Sequence, residues 1–278
     1  MKPGIYYNMS FEDYQAIDAI NCSKLVAFNK TPAHALVEKD DTPGMRLGRA
    51  IHAALLEHDR FKKEWVAMPE GMKRMGKKWD DFQAEHKDSQ IISGSEMGSI
   101  TGIIKSLQSG YYETARKLIE LCDASEVTLV WIDRKWGCLC KARLDLLALE
   151  LGAIIDLKSS TTSDPQQWLK TAINAQGKPH FQPHWYLTGA KETIETEVNT
   201  FIWILVEVKE PFGISVIQAT PVPEGERDIV YLAGLEIDPI LAKYLTCKAT
   251  NKFPGRQDQV VYADLPDWYW AKSLKEDF

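Results

Sequence analysis

The chain has 278 residues, a net charge of −6, 45% apolar and 26% charged residues, the composition of an ordinary globular protein with room for a sizeable core. No apolar run reaches the ~18 residues that a membrane span needs, and the opening MKPGIYYNMSFEDY lacks the apolar stretch of a secretion signal, so a cytoplasmic protein is expected. Five cysteines, an odd number with no C-x-x-C spacing, argue against a disulfide framework.

In chain order, Ser10-Phe11-Glu12-Asp13 reads as a helix start, with Ser10 as N-cap and an acid at the third helical position. A second helix begins near Asn21 or Ser23 and ends before Pro32. Pro43-Gly44 marks a turn, and residues 45–61 follow as one helix whose Leu47, Ile51, Ala54, Leu55 and Phe61 share a face. Residues 69–90 are polar, rich in lysine and glycine, and read as loop. They hold a basic run, Lys73, Arg74, Lys77 and Lys78, ahead of Trp79. That run is either a solvated loop or a contact for nucleic-acid phosphates. Residues 97–121 read as one or two helices broken near Gly110.

Strand signals follow. Residues 126–131 (EVTLVW) and 137–149 form a hairpin through Asp133-Arg134-Lys135. Cys138 and Cys140 flank Leu139 there; with no second pair they read as ordinary thiols. Residues 153–158 are the next strand, entered through Gly152. Residues 164–189 are helical with a break at 177–179. Residues 200–208 (TFIWILVEV) are a strand buried on both faces. A further strand follows the 211–213 turn, then a helix over roughly 224–247 and an aromatic tail with Trp268, Tyr269 and Trp270. The order indicates a single α/β domain with a central mixed β-sheet flanked by helices. Residues 1–120 are a mainly helical extension, 121–210 the core, and 211–278 a C-terminal strand, helix and tail.

The chemistry concentrates in AIIDLKSS, 153–160. Alternation along a strand puts Asp156 and Lys158 on one face. Asp145 lies eleven residues earlier, and a turn through 150–152 brings it beside Asp156. Two adjacent carboxylates repel unless a cation joins them. Oxygen ligands favour Mg2+, with Mn2+ as the alternative. Lys158 then orients a water or offsets charge on a phosphate. The bland alternative is an Asp–Lys pair on an exposed strand.

The neighbouring residues carry a resemblance. Asp145 followed by Asp156-Leu157-Lys158 resembles the PD-(D/E)XK nuclease fold, although no proline precedes Asp145. Gly48-Arg49-Ala50-Ile51-His52 and Gln182-Pro183-His184-Trp185-Tyr186 resemble the G-x-x-x-H and Q-x-x-x-Y elements of its RecB-like branch. GIYYNMSFEDYQAIDAINCSKLVAFNKTPAHA, EVTLVW, CKARLDLL and HFQPHWY are similar to the phage-type RecE, or exonuclease VIII, family. The resemblance implies a restriction-endonuclease-like core. It makes Asp145, Asp156 and the Leu157 backbone carbonyl metal ligands, and His52 a ligand or the partner of a metal-bound water. It makes Lys158 the catalytic lysine, and Glu126 an acid that positions water or a second ion. Gln182 and Tyr186 become active-site and DNA-contacting groups. The activity implied is Mg2+-dependent 5′-to-3′ digestion of linear double-stranded DNA, leaving 3′ single strands for a single-strand annealing protein. The enzyme implied is a homo-oligomeric ring, a tetramer favoured, with Lys73–Lys78 a candidate lining of its channel. The alternatives are another PD-(D/E)XK nuclease, such as an endonuclease or a Cas4-like enzyme, and a catalytically inactive DNA-binding module on the same fold.

Overall fold

The apolar runs of the chain become the middle of one six-stranded sheet, in a computed structural model that describes residues 1–38, 41–256, 258, 260 and 262–273. The strands are β1 Gly4–Tyr6, β2 Trp65–Ala67, β3 Gln90–Ile92, β4 Ala124–Ile132, β5 Leu139–Ala148, β6 Ala153–Ser160, β7 Thr200–Glu207 and β8 Ile214–Thr220. The helices are α1 Phe11–Ala16, α2 Cys22–Lys30, α3 Pro43–Leu56, α4 His58–Glu64, α5 Lys77–Glu85, α6 Gly94–Gln108, α7 Glu113–Glu120, α8 Pro165–Asn174, α9 Phe181–Thr193, α10 Ile229–Thr250 and α11 Asp267–Ser273. The sheet order is β1-β4-β5-β6-β7-β8. All its pairings are antiparallel except β6–β7, which is parallel because α8 and α9 form the crossover between them. A separate two-stranded sheet pairs β2 with β3.

Both faces of the sheet are covered. One core layer joins β4–β7 to α2, α9 and α10 through residues such as Leu25, Phe28, Trp131, Phe181, Trp185, Trp203 and Ile237. The other joins β5–β8 to α3, α6 and α7 through Ile51, Ile100, Ile103, Ile155, Ile204 and Val206. The middle of β7, 201–206, is buried throughout because both layers reach it. No helix among the described residues is long and apolar enough to cross a membrane.

Several local expectations change. Pro43 is not a turn residue but the first residue of α3, where its missing N–H leaves nothing unsatisfied; the Thr42 hydroxyl caps the helix by accepting the Met45 N–H at 3.2 Å. The helix expected over 45–61 splits at Glu57, whose φ of −137° is not helical, into α3 and α4. The expected loop 69–90 contains α5, so Lys77 and Lys78 lie in a helical first turn. The three-residue strands β1, β2 and β3 are too short to show a period of two. Ser10 and Asn21 do cap α1 and α2, accepting the backbone N–H of Asp13 and Lys24.

Candidate active site

The site is a fork in the sheet. The β5–β6 ladder ends at Leu146↔Ile155, so the next opposed residues, Asp145 and Asp156, mark where the strands part. The β4–β5 ladder pairs Ser125 with Leu146 and Val127 with Leu144, which sets Glu126 opposite Asp145. Three acids from three neighbouring strands therefore stand at one level. The backbone distorts there: Glu126 has a left-handed φ of +53°, a conformation costing a non-glycine residue roughly 1–2 kcal/mol. Regular alternation also slips at this level. Cys140, Ala142 and Leu144 of β5 enter one core layer, whereas Leu146 and Ala148 enter the other.

The opening admits helices from both layers. From one side comes α3. Its Gly48 packs closely enough that a Cβ would lie 3.2 Å from the Ser159 hydroxyl oxygen, and one turn later His52 Nε2 donates to the Leu157 carbonyl at 2.9 Å. A carbonyl only accepts, so Nε2 carries the proton. His52 Nδ1 lies 3.6 Å from Asp145 Oδ2. From the other side comes α9, where Gln182 donates to Asp156 Oδ1. Pro183 is tolerated in that helix's first turn. Lys158 Nζ pairs with Asp156 Oδ2; Asp156 is 1% and Lys158 31% exposed. Asp145 Oδ2 also accepts the Leu157 N–H at 2.8 Å.

Charge is unevenly tolerated in this space. Burial, then the neighbouring Asp156, pushes the Asp145 carboxyl up to about 7. Burial would pull the Lys158 ammonium down, but Asp156 and Asp145 outweigh it and hold it above its ordinary value. The Tyr186 phenol is driven well up by burial and by Asp156. Crowded acids of this kind call for a cation. One ligand atom each of His52, Glu126 and Asp145 lies within 4.8 Å of the others. One imidazole and two carboxylates suit a divalent ion that takes mostly oxygen donors.

His52, Glu126, Asp145, Asp156, Lys158, Gln182 and Tyr186 thus gather around one opening. The oxygens of Asp156 are engaged by Gln182 and Lys158, and the Leu157 carbonyl by His52. Glu126 instead joins His52 and Asp145 in the converging set. Of the basic run, Lys73, Arg74, Lys77 and Lys78 are all exposed. Arg74 donates to the Ile91 carbonyl at 3.3 Å and lies 3.9 Å from Glu96, so it braces β3 and α6. Arg143 is the site residue to which sequence reasoning gives no role: its Nε donates to Glu126 Oε2 at 2.5 Å. Its signal is the every-second-residue series Lys141, Arg143, Asp145 on one strand.

The model of the PDDEXK-like domain of unknown function (DUF3799) matches residues 21–266. Among solved structures the chain is similar to that of a candidate exonuclease from Eubacterium rectale, with a TM-score of 0.62 and 12% identity over 95% of this chain and 98% of that one. At that identity the likeness is one of fold. No curated protein matches the chain.

Proposed function

The chain belongs to the PDDEXK-like domain family of unknown function, and on that premise we propose that it is a divalent-metal-dependent nuclease hydrolysing DNA phosphodiesters. The observation that carries this is the convergence of His52, Glu126 and Asp145 beside the Asp156–Lys158–Gln182 cluster. A divalent ion, Mg2+ or Mn2+, would polarise the phosphate and acidify a water there. The protein supplies the rest. Lys158, kept charged by Asp156 and Asp145, stabilises the negative charge that develops on the phosphate oxygens. Gln182 fixes the Asp156 carboxylate against which Lys158 is aimed. His52 is held by the Leu157 carbonyl through Nε2, so that its Nδ1 faces Asp145.

The finer reading is a cytoplasmic exonuclease that degrades linear double-stranded DNA 5′-to-3′. It would work as a ring-shaped homo-oligomer, a tetramer favoured, and hand 3′ single strands to an annealing protein. Its support is the run of motifs from Gly4 to Tyr186; the exposed Lys73, Arg74, Lys77 and Lys78 would serve as phosphate contacts. One assay tests both levels: linear, nicked and covalently closed duplex DNA incubated with Mg2+ and either the wild type or Lys158→Ala. Loss of linear DNA alone, abolished by the substitution, is the expected result. Cutting of closed circles makes the same site an endonuclease. DNA binding without any cleavage reduces the protein to an inactive module.

A further inference from the structure

The first 21 residues form a strap around the β4–β5 hairpin. β1 pairs with the outer edge of β4. Ile20 pairs with Cys140 on the inner edge of β5, the edge that the fork leaves free of β6. It donates to the Leu139 carbonyl at 2.9 Å and accepts the Lys141 N–H at 2.7 Å. Between these two anchors α1 crosses β5 and is gripped by two of its cations. Lys141, 4% exposed, donates from Nζ to the carbonyls of Tyr14, Gln15 and Ile17 at 2.7, 3.2 and 2.8 Å. Arg143 Nη1 donates to the Met9 carbonyl at 2.9 Å, with its guanidinium carbon 6.0 Å from the ring centres of Phe11 and Tyr14.

We infer that Arg143 is a positioning residue, which transmits the seat of the strap to the Glu126 carboxylate and so sets one wall of the ion site. The inference rests on the metal-site reading above. Arg143 holds Glu126 and Met9 at once, and the pair is mostly buried at 10% and 18% exposed. A planar guanidinium fork serves two acceptors in fixed directions, which an ammonium does not. Glu126 stands opposite Asp145 on a left-handed backbone. Like charges facing each other across a ladder repel, so a Glu126 without its clamp turns away from Asp145 and leaves the ligand set short.

Two roles for Arg143 make opposite predictions, because a guanidinium beside a divalent ion repels it. If Arg143 only balanced charge, its removal would tighten metal binding. If it positions Glu126, its removal weakens binding. Mn2+ is titrated calorimetrically into the full chain as wild type, Arg143→Gln, Glu126→Gln and the double variant, with thermal melting followed alongside. Arg143→Gln is expected to weaken Mn2+ binding about tenfold or more, the usual effect of losing a residue that orients a ligand. The double variant should bind as Glu126→Gln does, since Arg143 acts through Glu126. Unchanged or tighter binding by Arg143→Gln overturns the inference, and so do effects that multiply. Should Arg143→Gln not fold, Arg143→Lys carries the same test: it keeps the charge but loses the fork, and wild-type affinity in it overturns the inference. A wild type that binds no Mn2+ overturns the metal site itself, which is a different result from binding that survives the loss of Arg143.

Discussion

Replacing Asp145 by asparagine should make the fold more stable and disable the ion site. In the folded chain its carboxyl is pushed from 3.8 up to about 7, by burial first and by Asp156 next. The unfolded chain ionises near 3.9. Between these two values the unfolded chain has released a proton that the folded chain keeps. Ionisation therefore favours unfolding, and stability falls as pH rises from about 4 to about 7. About three pH units at ~1.4 kcal/mol each set a ceiling of about 4 kcal/mol at pH 8, and proton sharing with Asp156 brings the expected gain to about 2–4 kcal/mol. Asparagine is nearly isosteric, and its Oδ1 still accepts the Leu157 N–H now bound by Asp145. In chelator at pH 8 the variant should melt about 4–8 °C above the wild type, and the gap should narrow at pH 5. Mn2+ at about 100 times its dissociation constant should add ~2.7 kcal/mol to the wild type and nothing to the variant. A variant that melts below the wild type at pH 8, or a gap that does not depend on pH, refutes the reasoning.

Burial pulls the Lys141 ammonium down to about 8, while the unfolded lysine titrates near 10.4. The unfolded chain thus binds more protons between these values, and stability should rise with pH across that window. Urea denaturation at pH 8 and pH 10 should show the rise in the wild type and none in Lys141→Met, whose residues 1–21 should also exchange amide protons faster. Gln182→Glu sets a second carboxylate against the buried Asp156 and should lower DNA cleavage by about 100-fold, measured at saturating Mg2+. Gly48→Leu should push α3 off Ser159, lengthen the His52–Leu157 link and weaken Mn2+ binding about tenfold by calorimetry. Gly189→Ala brings a Cβ to 2.7 Å from the Trp131 ring and should cost about 1–3 kcal/mol in urea, with Mn2+ affinity unchanged.

Features set by neighbours in the chain were legible in the sequence. Ser10 and Asn21 declare helix starts because a side-chain oxygen three residues ahead of an N–H is a local device. The break at 177–179 is glycine and proline chemistry. The hairpin arithmetic from Asp145 to Asp156 places two acids at one level, and the alternation from Asp156 to Lys158 pairs an acid with an amine. What the tertiary structure alone decided is how those groups are spent. Strands that part after Leu146↔Ile155 let α3 enter from one layer and α9 from the other, so that His52 holds the Leu157 carbonyl while Gln182 holds Asp156. Glu126 stands opposite Asp145 on a left-handed backbone that no propensity favours in glutamate. The strap reaches both edges of one hairpin through contacts more than a hundred residues apart, from Ile5 to Leu129 and from Ile20 to Cys140. Local patterning carries no record of contacts at that separation, since they depend on which surfaces meet once the sheet and its two helical layers have formed.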